Sequence, residues 1–213
     1  LGTMVQKLGG EALDCPVSGG CHRAVTGNIS IFVGGKRSSF EKILPVMKVL
    51  GGRILHTGKL GSASVLKVLT NYLATANLVT LCEALTTARK SGMDLGTTFE
   101  AIRISSGNSF VHETESQVIL NGSRDINFTM DLVLKDISLF QSIADRAGVP
   151  LEISPLLIDI FKDGEQRYGS REWSSNIIRR FEDTCETQIL ASGFPSQMVD
   201  DEPEVSGKEV VVR

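Results

Sequence analysis

The chain has 213 residues, 41% hydrophobic and 22% charged, enough apolar mass to bury a core as one or two domains and too much for a disordered tail. Its 22 basic and 25 acidic residues leave a formal charge of −3, which excludes the broad basic surface that a phosphate backbone requires, so nucleic acid is not an expected partner. No unbroken apolar run reaches the roughly 18 residues of a spanning helix, and the first residues lack the basic-then-apolar order of a secretory leader, so no membrane partner is expected.

In chain order, residues 1–8 read as a helix closed by Gly9-Gly10. Residues 12–17, an apolar run ending in Ser18-Gly19-Gly20, and residues 28–33, where Ile29, Ile31 and Val33 alternate with Ser30 before Gly34-Gly35, read as strands. Ser38 and Glu41 have the spacing of a capping box, and Phe40, Ile43, Leu44, Met47 and Leu50 follow at helical intervals up to Gly51-Gly52. Pro45 is expected to kink that helix. Residues 53–57 make a third strand, so residues 1–58 have the texture of α/β structure with too few strands for a complete doubly wound sheet.

From Gly61 the pattern is helical. Residues 62–90 are apolar almost all round, as in a helix packed on every side. Asp94 is the expected N-cap of the next helix, and further helices are expected near residues 110–120, 130–147, 151–168 and 172–187. After Gly193-Phe194-Pro195 the chain turns acidic, which suggests a peripheral tail. The expected organisation is an α/β segment over 1–58, an all-helical domain over 59–190 and an acidic tail over 191–213.

Despite 21 glycines, the chain contains neither GxGxxG nor a P-loop. Ser18-Gly19-Gly20 at a strand end offers a hydroxyl and unobstructed backbone N–H groups that suit a carboxylate, or it is only a tight turn. Lys67 and Asn71 stand at i and i+4 on the central helix, interrupting its apolar surface. Desolvation there favours the neutral amine, which can trade a proton with a substrate hydroxyl; the alternative is a lysine that snorkels to water. Lys135 either makes a surface pair with Asp131, one turn earlier, or points a cation at an anionic ligand. Cys15, Cys21, Cys82 and Cys185 form no CxxC pair and His22, His56 and His112 are scattered, so no metal is expected, and reduced thiols suggest the cytoplasm or an organellar matrix.

Taken in order, residues 14–20 (Asp-Cys-Pro-Val-Ser-Gly-Gly), Gly58 and Gly61 leading into Lys67-x-x-x-Asn71, Glu83-Ala84 and Lys135-Asp136 resemble the β-hydroxyacid dehydrogenase family over roughly residues 8–185. The resemblance implies the tail of a Rossmann-type domain followed by an all-α domain. It implies that Ser18, Gly19 and Gly20 hold the substrate carboxylate, that Lys67 is the acid/base, that Asn71 orients substrate and that Lys135 lies beside NAD or NADP. Cys15 replaces the family's alanine, a small-for-small change. The family's βαβ unit with GxGxxG is expected upstream of Leu1, a piece on the order of 100 residues, so these 213 residues alone are expected to be inactive. The expected activity is hydride transfer between NAD(P) and a small β-hydroxy acid or semialdehyde. The alternatives are an imine reductase-like enzyme, against which Lys67 argues, and a non-catalytic helical dimerisation module. A homodimer or homotetramer is expected to cover the central helix.

Overall fold

The structure is a computed structural model and describes residues 1–212. The elements are α1 (Gly2–Lys7), β1 (Val17–Ser18), α2 (Gly20–Thr26), β2 (Ser30–Gly34), α3 (Arg37–Leu50), β3 (Arg53–Gly58), α4 (Ser62–Lys90), α5 (Leu95–Arg103), α6 (Phe110–Asn121), α7 (Met130–Ala147), α8 (Ile153–Tyr168), a 3-10 turn (Ser174–Ile178), α9 (Arg179–Cys185) and β4 (Lys208–Glu209). Two units divide the chain, one formed by residues 1–70 together with the segment from Asp200, the other by residues 71–199.

In the first unit the alternation in β2 buries Ile31 and Val33 on one face, and α3 lays Phe40, Ile43, Leu44 and Met47 over it. The four-stranded sheet runs β1-β2-β3-β4, antiparallel between β1 and β2 and parallel across β2, β3 and β4. Residues 12–17 are extended, though only Val17 counts as strand; an isolated bridge pairs Asp14 with Gly34.

Four expectations are corrected here. No side chain caps α3: it starts at Arg37 after Lys36, so Ser38 and Glu41 lie inside the helix and cannot form the expected capping box, and Glu41 pairs with Arg37 at 2.9 Å. The helix α2 was not expected, because seven residues opened by glycine carry no readable apolar period. The unit ends within α4 and not at Gly58, because residues of the α/β segment hold the first turns of that helix. The tail is not peripheral. Its last strand adds to the open edge of β3, with Lys208 N–H donating to the Gly52 carbonyl (3.0 Å) and Val210 N–H to the Ile54 carbonyl (2.7 Å). Gly207 makes this approach possible, since a Cβ there would fall 2.1 Å from the Gly51 carbonyl oxygen.

The second unit buries Leu85, Ile119, Leu120, Met130, Ile137 and Phe161 in one core. Asp94 accepts the Thr97 N–H at 2.7 Å as the N-cap of α5, and Gly148 closes α7 in the left-handed conformation. The expected helix over 172–187 is broken, because the strand-like segment before α7 claims its backbone: Ser174 N–H donates to the Phe128 carbonyl (2.8 Å) and Met130 N–H to the Glu172 carbonyl (3.0 Å). Among the described residues α4 alone is long and apolar enough to cross a membrane by length and composition, a property the search for an unbroken apolar run missed because scattered Thr and Asn interrupt it. Leu78, Val79, Leu81, Cys82 and Leu85 nonetheless lie in the core of this unit, as in the central helix of a globular bundle.

Glu115 on α6 faces the same interior. Its Oε2 is buried without a hydrogen-bond partner, and burial pushes its carboxyl up from 4.5 to about 7. A raised carboxyl favours the native state in its protonated form, so this contribution is complete below about pH 4.5 and is lost as pH rises through about 7. Glu115→Gln should therefore stabilise the protein by about 3 kcal/mol at pH 8 and by almost nothing at pH 4.5. Urea denaturation at the two pH values checks this; an equal effect at both would show that the carboxyl is not buried as described.

Candidate active site

Asp14 organises the candidate site residues of the first unit. Its Oδ1 accepts the Gly61 N–H at 2.7 Å, and its Oδ2 accepts the Ser64 N–H at 2.7 Å and the Ser64 hydroxyl at 2.9 Å. It thus satisfies two of the N–H groups that the start of α4 leaves without intrahelical partners. Burial opposes ionisation of Asp14, but these N–H and O–H donors outweigh it and hold the carboxyl below its ordinary value. Its backbone exchanges two bonds with Gly34, at 3.0 and 2.9 Å. The strand that leads to Ser18 and the helix that carries Lys67 are therefore tied at one residue.

Ser18 ends β1, paired with Ser30. Gly19 follows at φ 132°, where a side chain is strained, and α2 begins at Gly20. Ser18 and Gly19 are half-buried and Gly20 is exposed, so the turn is open to a ligand. Lys67, half-buried, stands in the second turn of α4; its carbonyl accepts the Thr70 hydroxyl at 2.9 Å. Asn71 follows on the same helix, in the second unit. There its Nδ2 donates to Asp136 Oδ2 at 2.5 Å, and Lys135 Nζ lies 3.1 Å from Asp136 Oδ1. Asp136 is buried, with Lys135 largely exposed beside it.

The sequence-level pairing of Asp131 with Lys135 is thereby corrected: Arg171 takes Asp131 at 3.0 Å, and the Lys135 side chain folds back on its own neighbour. Within the second unit two expected residues, Asn71 and Lys135, come together on Asp136; within the first, Ser18, Gly19, Gly20 and Lys67 stand on elements joined through Asp14. A cleft of about 330 Å³ in the first unit, lined by Gln6, Glu11, Lys36, Lys59 and Leu60 among others, contains none of these residues. Sequence reasoning quoted Asp14 and Asp136 without giving either a role. The signal for Asp14 was an acid ahead of a strand end facing a glycine-opened helix. For Asp136 it was a buried acid in an apolar stretch, which needs a donor.

These elements define a dinucleotide-oxidoreductase architecture, the end of a Rossmann-type sheet followed by a helical domain. The chain belongs to the β-hydroxyacid dehydrogenase family: residues 61–181 match the family described as NAD-binding of NADP-dependent 3-hydroxyisobutyrate dehydrogenase, and residues 2–58 match the NAD binding domain of 6-phosphogluconate dehydrogenase. Among curated relatives, 2-(hydroxymethyl)glutarate dehydrogenase of Eubacterium barkeri is 35% identical over 88% of this chain and 62% of its own length. The mitochondrial 3-hydroxyisobutyrate dehydrogenase of Rattus norvegicus is 27% identical over 80% of this chain and 53% of its own length. The crystal structure of 3-hydroxyisobutyrate dehydrogenase from Salmonella typhimurium has the same fold, with a TM-score of 0.73 at 23% identity over 84% of this chain and 63% of that one. The chain therefore spans under two thirds of the length of these relatives.

Proposed function

We propose that this chain serves an NAD(P)-dependent oxidoreductase that moves a hydride between the cofactor and a small β-hydroxy acid or its semialdehyde. The observation that carries the reading is Asp14 joining the Ser18-Gly19-Gly20 strand to the start of the Lys67 helix. The nicotinamide, when bound, supplies the hydride acceptor. The residues present fit one end of such a cofactor: Lys135 is an ammonium whose side chain is 58% exposed, whereas no glycine-rich phosphate loop occurs in the sequence.

In the oxidative direction Lys67 Nζ accepts the proton of the substrate hydroxyl; in the reverse direction it returns that proton. Asn71 orients the substrate through its side-chain carbonyl or its second amide N–H, one N–H being held by Asp136. Asp136 thus sets which way the Asn71 amide faces. The N–H groups and hydroxyl of residues 18–20 hold the carboxylate. The test is reduction of NAD and NADP by the complete protein with a panel of 3-hydroxy acids, 2-(hydroxymethyl)glutarate and L-threonate included. Turnover with at least one supports the reading, and none with any of them defeats it. A cytoplasmic or organellar-matrix setting belongs to the same proposal, one relative being named mitochondrial.

A homodimer or homotetramer is part of the reading. Only 28% of the most apolar window of α4 is buried, and Leu73 on that helix is 58% exposed. A second copy covers this face. Leu73→Glu should shift the protein to a smaller species in sedimentation equilibrium; a wild-type protein that already sediments as a monomer would contradict the assembly.

A further inference from the structure

We infer that the C-terminal segment positions the carboxylate-binding turn, with Asp200 and Glu202 acting through Arg23 on Gly19. This rests on the proposed role of residues 18–20, and every residue in it lies in the first unit.

The Asp200 side chain is only 2% exposed. Its Oδ2 accepts the Thr26 hydroxyl at 2.5 Å and Asn28 Nδ2 at 2.7 Å, and its Oδ1 lies 3.8 Å from Arg23 Nε. Glu202 continues the network: one oxygen accepts Arg23 Nη2 at 2.5 Å, the other Arg53 Nη2 at 2.9 Å, and its main-chain carbonyl accepts Asn28 Nδ2 at 3.0 Å. The two carboxylates therefore grip α2 at its last turn, through Thr26, and along its flank, through Arg23. The Arg23 stem in turn lies against the turn itself, for a Cβ on Gly19 would fall 3.1 Å from Arg23 Cδ and 3.4 Å from Arg23 Cβ.

A helix of seven residues cannot hold its own place in water, because nucleation outweighs the few bonds it closes. Its restraint must come from elsewhere. Here it comes from a segment nearly 180 residues away in sequence; further along the same segment Glu209 pairs with Arg37 on α3, at 2.5 and 3.1 Å, and not with α2. Buried charges of this kind contribute orientation more than net stability, which is what a carboxylate site built on flexible glycines requires. The segment from Asp200 also lies outside the residues matched to the family, 2–58 and 61–181.

The experiment is steady-state kinetics with hydrogen exchange on the complete enzyme. Asp200→Ala should raise KM for the hydroxy acid about tenfold, leave kcat at saturating substrate and KM for the cofactor within about twofold, and speed amide exchange in residues 19–27. Glu209→Gln, which loosens β4 without touching α2, should leave the hydroxy-acid KM at its wild-type value. An unchanged KM in Asp200→Ala, or an equal rise in Glu209→Gln, overturns the inference. If Asp200→Ala does not fold, Glu202→Gln makes the same test with a smaller rise, and a wild-type KM there overturns it. A wild-type enzyme that turns over no hydroxy acid defeats the functional reading instead; faster exchange at residues 19–27 in Asp200→Ala then supports the positioning role, and unchanged exchange overturns it.

Discussion

Replacing Lys67 by alanine in the complete enzyme should lower kcat by about 10²–10⁴-fold while the Kd for NAD or NADP stays within about twofold of wild type. The range is that of one positioned proton-transfer group, equivalent to about 3–5 kcal/mol of barrier. The cofactor is unaffected because a helix residue that meets the hydroxyl proton contributes to the transition state and not to dinucleotide binding. Lys67→Arg should not restore turnover, since a guanidinium does not give up its proton and cannot act as the base. A small primary amine added to Lys67→Ala should restore part of it. Turnover within tenfold of wild type in Lys67→Ala, with no effect of amine, would remove Lys67 from the chemistry.

Much of the fold was legible because periodicity is strong where burial is one-sided. Ile31 and Val33 alternate in β2, Phe40 to Met47 repeat at helical spacing in α3, and Asp94 announces α5. What could not be read was tertiary. The carbonyls of Phe128 and Glu172 are taken by chain far away in sequence, and no local signal in residues 172–187 reveals that the helix must break there. The acids of the tail looked like a solvated face because Arg23, Arg53 and Arg37 are distant in sequence; the sheet edge at β3 collects them. The expected site residues were legible as residue types at given spacings, but their supports were not. Asp136 was seen only as the neighbour of Lys135, although its fixed partner is Asn71, 65 residues earlier. In each case spacing pointed to the group proposed to meet a ligand, and packing chose the group that holds it.

Asp14 is where that distinction has the largest structural consequence. Asp14→Ala removes three hydrogen bonds to the start of α4, two of them from backbone N–H groups, and should destabilise the protein by about 2–3 kcal/mol at pH 7, the loss of an N-cap plus a charge-assisted bond. Asp14→Asn should recover little, because its amide NH₂ would face the donors of Ser64 or Gly61 in place of an acceptor. The folded-state carboxyl lies below its ordinary value of 3.8, so the stabilisation is complete above that value and is lost as pH falls through the lower folded one. Urea denaturation of wild type and Asp14→Ala should therefore converge at acid pH and diverge at neutral pH. Activity should fall as well, although Asp14 meets no substrate: when the first turn of α4 frays, Lys67 in the second turn is displaced, and a displacement of about 1 Å costs on the order of a hundredfold in kcat/KM. Full activity in a destabilised Asp14→Ala would show that the first turns of α4 keep their place without this residue, and that the link between the Ser18 strand and the Lys67 helix serves stability alone.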